Sequence, residues 1–332
     1  MAMTSFSALR ARLPVLSTGP EPSTPWPKVG PGGVSFSDDL ARPGGGRLGV
    51  RVRITDRGDG YEIDLRDSDE RDATGHFALS RARTELACLL ALGHAFGEPP
   101  SRAWSARLGL LTDPGTWIDA DDRTCDPAAI AMGVARTFDA VLGAFGHAWP
   151  GRVGAGSCSL GAVVELRDGE EVLLTEVLPG GEGGRPDRPG ESAWPGPILP
   201  STWSTAEAPL EGLAIESGLR EGSGGGGKHR GGDGVFRRYH VQRPLLATLA
   251  FDRVRNPPHG IDRAGPPAGT EVRLHLRGAD RPRSVEPWTT LELPPGSILE
   301  VLTCGGAGWG FPGYGDIEWD PSEWFGGKPK TG

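Results

Sequence analysis

Lysine is scarce: Lys28, Lys228, Lys328 and Lys330 are the only ones in 332 residues, and every other fixed cation is an arginine. With 35 Lys+Arg against 43 Asp+Glu the formal net charge is -8, which repels phosphate backbones and anionic lipid, so neither nucleic acid nor a membrane is an expected partner. Cysteine is equally rare. Cys88, Cys125, Cys158 and Cys304 stand far apart with no C-x-x-C pair for zinc or redox chemistry, and they read as free thiols in a reducing cytoplasm. His76, His94, His147, His229, His240, His259 and His275 include no H-E-x-x-H and no pair four residues apart, which removes the commonest helical zinc arrangements. No apolar run is expected to span a bilayer, and residues 1–16 lack a secretory signal, so a soluble, cytoplasmic chain is expected.

At this length the chain buries one large core or two modest ones without disulfides. Pro20, Pro22, Pro25, Pro27 and Pro31 lie among glycine and serine, so residues 1–35 read as an extended lead-in that builds no core. Val50, Val52 and Ile54 alternate with Arg51, Arg53 and Thr55, and the alternation resumes at Tyr61, Ile63 and Leu65, predicting an antiparallel hairpin. The period then lengthens. Leu79, Ala82, Leu86, Leu89 and Leu90 share one face of a helix over 77–96. Asp126 as N-cap, Pro127 behind it and the stripe Ile130, Val134, Phe138, Val141, Leu142 and Phe145 predict a second helix, stopped by Gly146 and Pro150. A further hairpin pairs 162–166 with 172–178, and strands follow over 235–241, 245–251, 271–276, 290–293 and 298–303. The fold class is α+β: a mixed region of hairpins and two amphipathic helices over 36–221, a β-rich lobe over 222–312 and a tail over 313–332. The Gly/Pro-rich stretch 180–201 is too broken for helix or strand and reads as a binding or partner-facing loop.

The densest motif is G-S-G-G-G-G-K-H-R-G-G-D-G over 222–234. Gly222, Gly227 and Lys228 sit at P-loop spacing, but His229 stands where Mg²⁺ needs a hydroxyl, and no helix-opening sequence follows. The simpler reading is a glycine-built turn with positive φ angles and close backbone approach. Arg230 beside Asp233 either binds a carboxylate or phosphate or locks the loop as an internal ion pair, and both readings stand. Asp64, Asp67, Asp69 and Asp72 lack the EF-hand glycine and, with Asp119, Asp121 and Asp122, read as solvated acidic faces. Cys158 lacks the flanking glycines of a nucleophile elbow and reads as a small core residue.

Ser223, Gly224, Gly225, Gly227, Arg230, Gly231, Gly232, Gly234 and Arg237 or Arg238 follow S-G-G-x-G-x-x-R-G-G-x-G-x-x-R, and this segment resembles the one found in the hydantoinase B/oxoprolinase family. Arg253-Val254-Arg255-Asn256-Pro257-Pro258-His259-Gly260 resembles the family's arginine-rich stretch ending in Pro-x-Gly. Pro294-Pro295-Gly296 and the run from Thr303 through Gly305, Gly306 and Gly308 to Gly310 resemble its L-x-P-G and T-P-G-G-G-G-x-G signatures, with Cys304 for proline and Ala307 for glycine. Looser matches at Glu62-Ile63-Asp64-Leu65, Pro127-Ala128-Ala129 and Ala208-Pro209-Leu210-Glu211 keep the family order, while Ala78 and Ser204 stand where it has asparagine.

The resemblance implies the C-terminal half of such a subunit. Longer relatives hold a divalent metal through Asn-Asp-Pro, Gly-Gly-Thr-His and a second His-containing block of an N-terminal half, and this chain has none of those blocks. The implied activity is an ATP-dependent cyclic amidohydrolase acting on a hydantoin, oxoproline or related small substrate, or a ketone-carboxylase-type component. ATP with Mg²⁺ then belongs to an A-type ATPase subunit and the metal to a separate N-terminal B-type polypeptide, with none of them on this chain. Catalytic residues stay unassigned, and Arg230, Asp233, Arg238 and Arg253 are the substrate or interface candidates among the motif glycines. A non-catalytic structural or binding subunit is the alternative.

Overall fold

The computed structural model describes residues 25–71, 76–198 and 210–312, together with 16, 19–21 and the backbone of 203–204. Strands β1 (Val34–Ala41), β2 (Arg47–Arg57) and β3 (Gly60–Asp64) form an antiparallel meander, and β4 (Leu108–Leu111) adds in parallel to β3. The alternation seen in sequence sets the faces: Val50, Val52 and Ile54 point inward, Arg51 and Arg53 outward. Helices α1 (Arg81–Phe96) and α2 (Pro127–Ala148) join the core of this sheet. Asp126 caps α2 by accepting from Ala128 N at 2.7 Å, as its side chain predicts.

Two expectations about α2 need correction. Gly146 does not stop it; the helix runs on to Ala148, and Trp149 is the C-cap. By length and composition its 22 residues are apolar enough to cross a membrane, but the apolar window is entirely buried inside the protein. A helix that is hydrophobic all round fits a position with packed neighbours on every side.

The remaining strands are β5 (Ala162–Asp168), β6 (Glu171–Leu178), β7 (Trp203–Ser204), β8 (Leu213–Leu219), β9 (Val235–Val241), β10 (Leu245–Phe251), β11 (Glu271–His275), β12 (Arg283–Ser284), β13 (Thr289–Leu293) and β14 (Ile298–Leu302). They make two antiparallel sheets of order β13-β10-β5-β6-β7 and β12-β11-β14-β9-β8. Ala162, Val164, Leu249 and Phe251 of one meet Tyr239, Val272, Leu299 and Val301 of the other in a shared core. The alternate residues Val163, Val177 and Ala250 face away and join the core of the helices and first sheet. The middle sheet is therefore buried on both faces, and the layers run sheet, helices, sheet, sheet. Because β5 pairs with both β6 and β10, and β8 with β9, both sandwich sheets are built from chain on either side of residue 222.

The proline-rich lead-in contributes more than extended chain. Trp26 is buried in the core and stacks on Tyr61 with ring centroids 5.0 Å apart. Asp122 is also no solvated acid: it is buried, accepts from Ser80 N at 2.6 Å and pairs with Arg83, fixing the start of α1. Asp64, Asp69, Asp119 and Asp121 are each paired with an arginine, and Asp72 lies outside the described residues.

Candidate functional site

Strand register brings the glycine motifs together. Ala162 lies opposite Leu178 and Phe251, and Leu302 lies opposite Phe236 and Glu271, so the chain enters or leaves these strands at one end of the sandwich. There the segments 154–158, 180–184, 223–234, 261–268 and 304–310 bond to one another through their backbones. Ala307 N donates to Gly156 O (2.9 Å), Gly184 N to Ala307 O (2.8 Å), Gly225 N to Gly306 O (2.8 Å), Gly306 N to Gly232 O (2.9 Å) and Gly308 N to Gly265 O (3.0 Å). The 304–310 segment thus bonds to four neighbours, twice the number a strand has within a flat sheet.

Such crowding leaves no room for side chains. A Cβ on Gly306 would lie 1.9 Å from Glu182 O, on Gly231 1.9 Å from Gly306 O, and on Gly232 2.0 Å from Glu191 O. Gly226, the variable position of the motif, would meet nothing within 4 Å. The expected turn of positive-φ glycines is therefore corrected: among the motif glycines from Gly222 to Gly234 only Gly222 has a positive φ, and close approach is what demands glycine. Lys228 and His229 pair through their backbones with Gly310 and Trp309, and β9 rather than a helix follows, so no phosphate-cradling loop forms.

Side chains clamp the edges of this bundle. Arg230 Nη2 donates to Asp233 Oδ1 at 2.8 Å, and the same oxygen accepts from Gly224 N at 2.8 Å, which realises the internal ion-pair reading. Glu182, buried, accepts both guanidinium nitrogens of Arg188 at 2.9 and 3.1 Å and Glu191 N at 3.1 Å. Cys158 is a buried core residue, as expected, and its hydrogen bond with the neighbouring Cys304 thiol, together with burial, pushes its own thiol upward and makes a poor nucleophile of it.

Arg253 belongs to a second, wholly buried assembly. It sits at φ 63, a left-handed conformation that costs a non-glycine residue about 1 kcal/mol or more, and its side chain is 3 % exposed. Its guanidinium grips both oxygens of Asp38 at 3.2 and 3.0 Å and donates to Asp139 at 2.6 Å. Arg136 donates to Asp38 at 2.9 Å and Asp252 at 2.5 Å, and Asn256 Nδ2 to Asp38 at 2.8 Å. Two guanidinium groups therefore face three carboxylates drawn from β1, α2 and the end of β10. Burial pushes the Asp139 carboxyl far above the usual range against the pull of Arg136, and burial also raises Asp252. One proton on Asp139 leaves the assembly neutral, which is the arrangement low dielectric favours. Asp139 Oδ1 and Ser159 Oγ, without partners among the described residues, border a cavity of about 10 Å³.

Sequence reading singled out Arg253 but missed Arg136, Asp38, Asp139 and Asp252. The available signal was Arg136 and Asp139 three apart inside the otherwise apolar α2. Arg238 lies elsewhere, half-exposed on the outer sheet between Glu300 (2.8 Å) and Glu216 (3.2 Å), so Arg230, Arg238 and Arg253 share no partner. Among the described residues no group of three or more His, Cys, Asp or Glu is placed to hold a metal. The Asp38, Asp139 and Asp252 carboxylates are occupied by two arginines, so that group does not fit a catalytic cation.

Comparison with known proteins places these features. The family model described as Hydantoinase B/oxoprolinase matches residues 8–312. The protein 5-oxoprolinase 1 of Arabidopsis thaliana is 26% identical over 217 residues, which is 64% of this chain and 16% of that protein. Two solved structures are similar in fold with a TM-score of 0.66 each. The ATP-dependent caprolactamase from Pseudomonas jessenii is 19% identical, over 84% of this chain and 52% of that one. An acetone carboxylase in its nucleotide-free form is 14% identical, over 88% of this chain and 46% of that one. The chain thus spans about half of the solved relatives and under a fifth of the plant protein.

Proposed function

Because the chain belongs to the hydantoinase B/oxoprolinase family, we propose that it is the C-terminal half of a cyclic-amide-hydrolysing subunit, acting with an A-type ATPase subunit and a metal-bearing half on a separate polypeptide. One observation carries the reading: the family match covers residues 8–312, and the glycine signatures within it close into a single hydrogen-bonded body at one end of the sandwich. A body of closely packed backbone with few and small side chains inside suits the rigid wall of a substrate cavity or a subunit boundary. Its role is to shape and exclude water, with ATP, Mg²⁺ and the divalent metal held by the partners. The substrate class follows the 5-oxoprolinase relatives, whereas the fold alone matches a lactamase and a ketone carboxylase equally well. Four buried free thiols suit a reducing cytoplasm.

Co-expression with genomic neighbours encoding A-type and N-terminal B-type polypeptides, followed by size-exclusion chromatography and an assay of ATP-dependent ring opening of 5-oxoproline and hydantoin, tests the proposal. A co-eluting complex that turns over only with all components is expected. A chain that remains alone with every neighbour, or that opens a ring unaided, overturns it.

A further inference from the structure

A cleft of about 520 Å³ opens between the β1–β2 hairpin tip, the chain after β10 and the chain before β13. That volume is typical of small-molecule sites. The tip reads Arg42-Pro43-Gly44-Gly45-Gly46-Arg47, with φ of 72, 94 and 84 at the three glycines, so it presents bare, exposed backbone to the cleft. The opposite wall carries Arg255 and Val254, both exposed. Trp288 ties the walls together, its indole N–H donating to Ala41 O at 3.0 Å, so the cleft is formed before any ligand arrives.

Three arginines and three acids border the cleft, but they are unequally engaged. Asp39 is held by Arg47 at 3.0 Å, and Asp252 is held from behind by Arg136 at 2.5 Å, an arginine outside the cleft wall. Arg136 is shared with Asp38 at 2.9 Å, so the cleft itself sets three guanidinium groups against Asp39, Asp252 and Glu286. Arg255 has no carboxylate partner among the described residues, and Val254 and Pro287 line the same cleft with apolar surface. A planar, multi-donor cation beside apolar surface in a preformed cleft is suited to a carboxylate on a short carbon chain.

We propose that this cleft binds a small aliphatic carboxylate, its head group on Arg255 and Arg42 and its carbon chain on Val254 and Pro287. The site is separate from the glycine bundle, and it abuts the buried arginine–aspartate assembly at Asp252. Its occupancy does not depend on the ring-opening reading, because binding is measured on this chain without partners or ATP.

Isothermal titration of the full chain with glutarate, and in parallel with inorganic phosphate, is the test. One saturable glutarate site is expected, weakened by added salt and weakened about tenfold or more in Arg255→Ala, the loss of a charge-assisted hydrogen bond. Arg255→Lys should fall between the two, and Arg281→Ala, an exposed arginine outside the cleft, should bind as the parent does. Arg255 is exposed, so an unchanged thermal midpoint will show that Arg255→Ala remains folded. Absence of saturable glutarate binding, equal affinity in Arg255→Ala, or phosphate binding tightly where glutarate does not, each overturns the proposal.

Discussion

Replacing Arg253 by methionine tests what holds the layers together. The guanidinium supplies two bonds to Asp38 and one to Asp139, all with atoms out of contact with water. Methionine keeps much of the volume and removes the charge, leaving Asp38 with Arg136 and the neutral Asn256 amide, and Asp139 without its 2.6 Å partner. Breaking one side of a buried ion pair costs about 3–5 kcal/mol, because the surviving charge stays desolvated and uncompensated. For a chain of this size that corresponds to a midpoint lower by roughly 4–7 °C. Urea unfolding followed by tryptophan fluorescence gives the free energy, with Arg238→Met as control. Arg238 is 39% exposed between two glutamates, and its loss should cost no more than about 1 kcal/mol. Combining Arg253→Met with Asp139→Asn should recover part of the loss by removing a carboxyl that has lost its partner. If Arg253→Met costs as little as the control, the assembly contributes no stability and Arg253 must be reconsidered as a group that meets a ligand.

Three further outcomes follow from the same geometry. Asp139→Asn should be near neutral at low pH and stabilising at high pH: a carboxyl whose folded pKa is raised gives stability that is present in acid and lost as pH rises through that value, so unfolding measured from pH 5 to 9 should be flatter in the variant, and an equal slope in both refutes a protonated Asp139. His94 and His259 are lowered by burial to about 3 and about 4, so stability should be full above about pH 6.5 and decline as pH falls toward those values, and a double replacement by glutamine that leaves the acid limb unchanged would falsify this assignment. Gly306→Ala should unfold the bundle or cost more than about 4 kcal/mol, since its Cβ would lie 1.9 Å from a backbone oxygen, whereas Gly226→Ala should change stability by no more than about 0.5 kcal/mol; comparable thermal midpoints would contradict the close-packed backbone.

The elements with strong periodicity were legible. The hairpin around Gly58, α2 with its Asp126 cap and the strands from Val235 onward, except the two-residue β12, follow from spacing alone. By contrast β1 and β8 were hidden, because Ser37-Asp38-Asp39 and Ala214-Ile215-Glu216-Ser217 lack apolar alternation and become strands through their neighbours' hydrogen bonds. The glycine motif could be read as a pattern but not as a geometry. Nothing in Gly224-Gly225 distinguishes a tight turn from an extended segment until the partner at Gly306 is known. Arg253 was visible in sequence as part of the arginine-rich motif, yet its partners Asp38 and Asp139 lie 215 and 114 positions away. Long-range pairing of that kind leaves no local trace.

The glycine bundle also dictates when the molecule can finish folding. Its segments come from five separated stretches, and the 304–310 run that bonds to four of them is the last to leave the ribosome. Sheets and helices can assemble earlier, but the end of the sandwich stays unsealed until Gly310 is available. Closing contacts between such distant parts is entropically expensive and slow, and glycine adds to the freedom that must be surrendered. A nascent chain therefore spends an interval with bare, unpaired amides and carbonyls at one end, the condition under which chains pair with one another instead of with themselves. Trimming the polypeptide just before Cys304 should prolong that interval indefinitely and convert a folded product into aggregate, even though every helix and all but the last glycine segment would remain encoded.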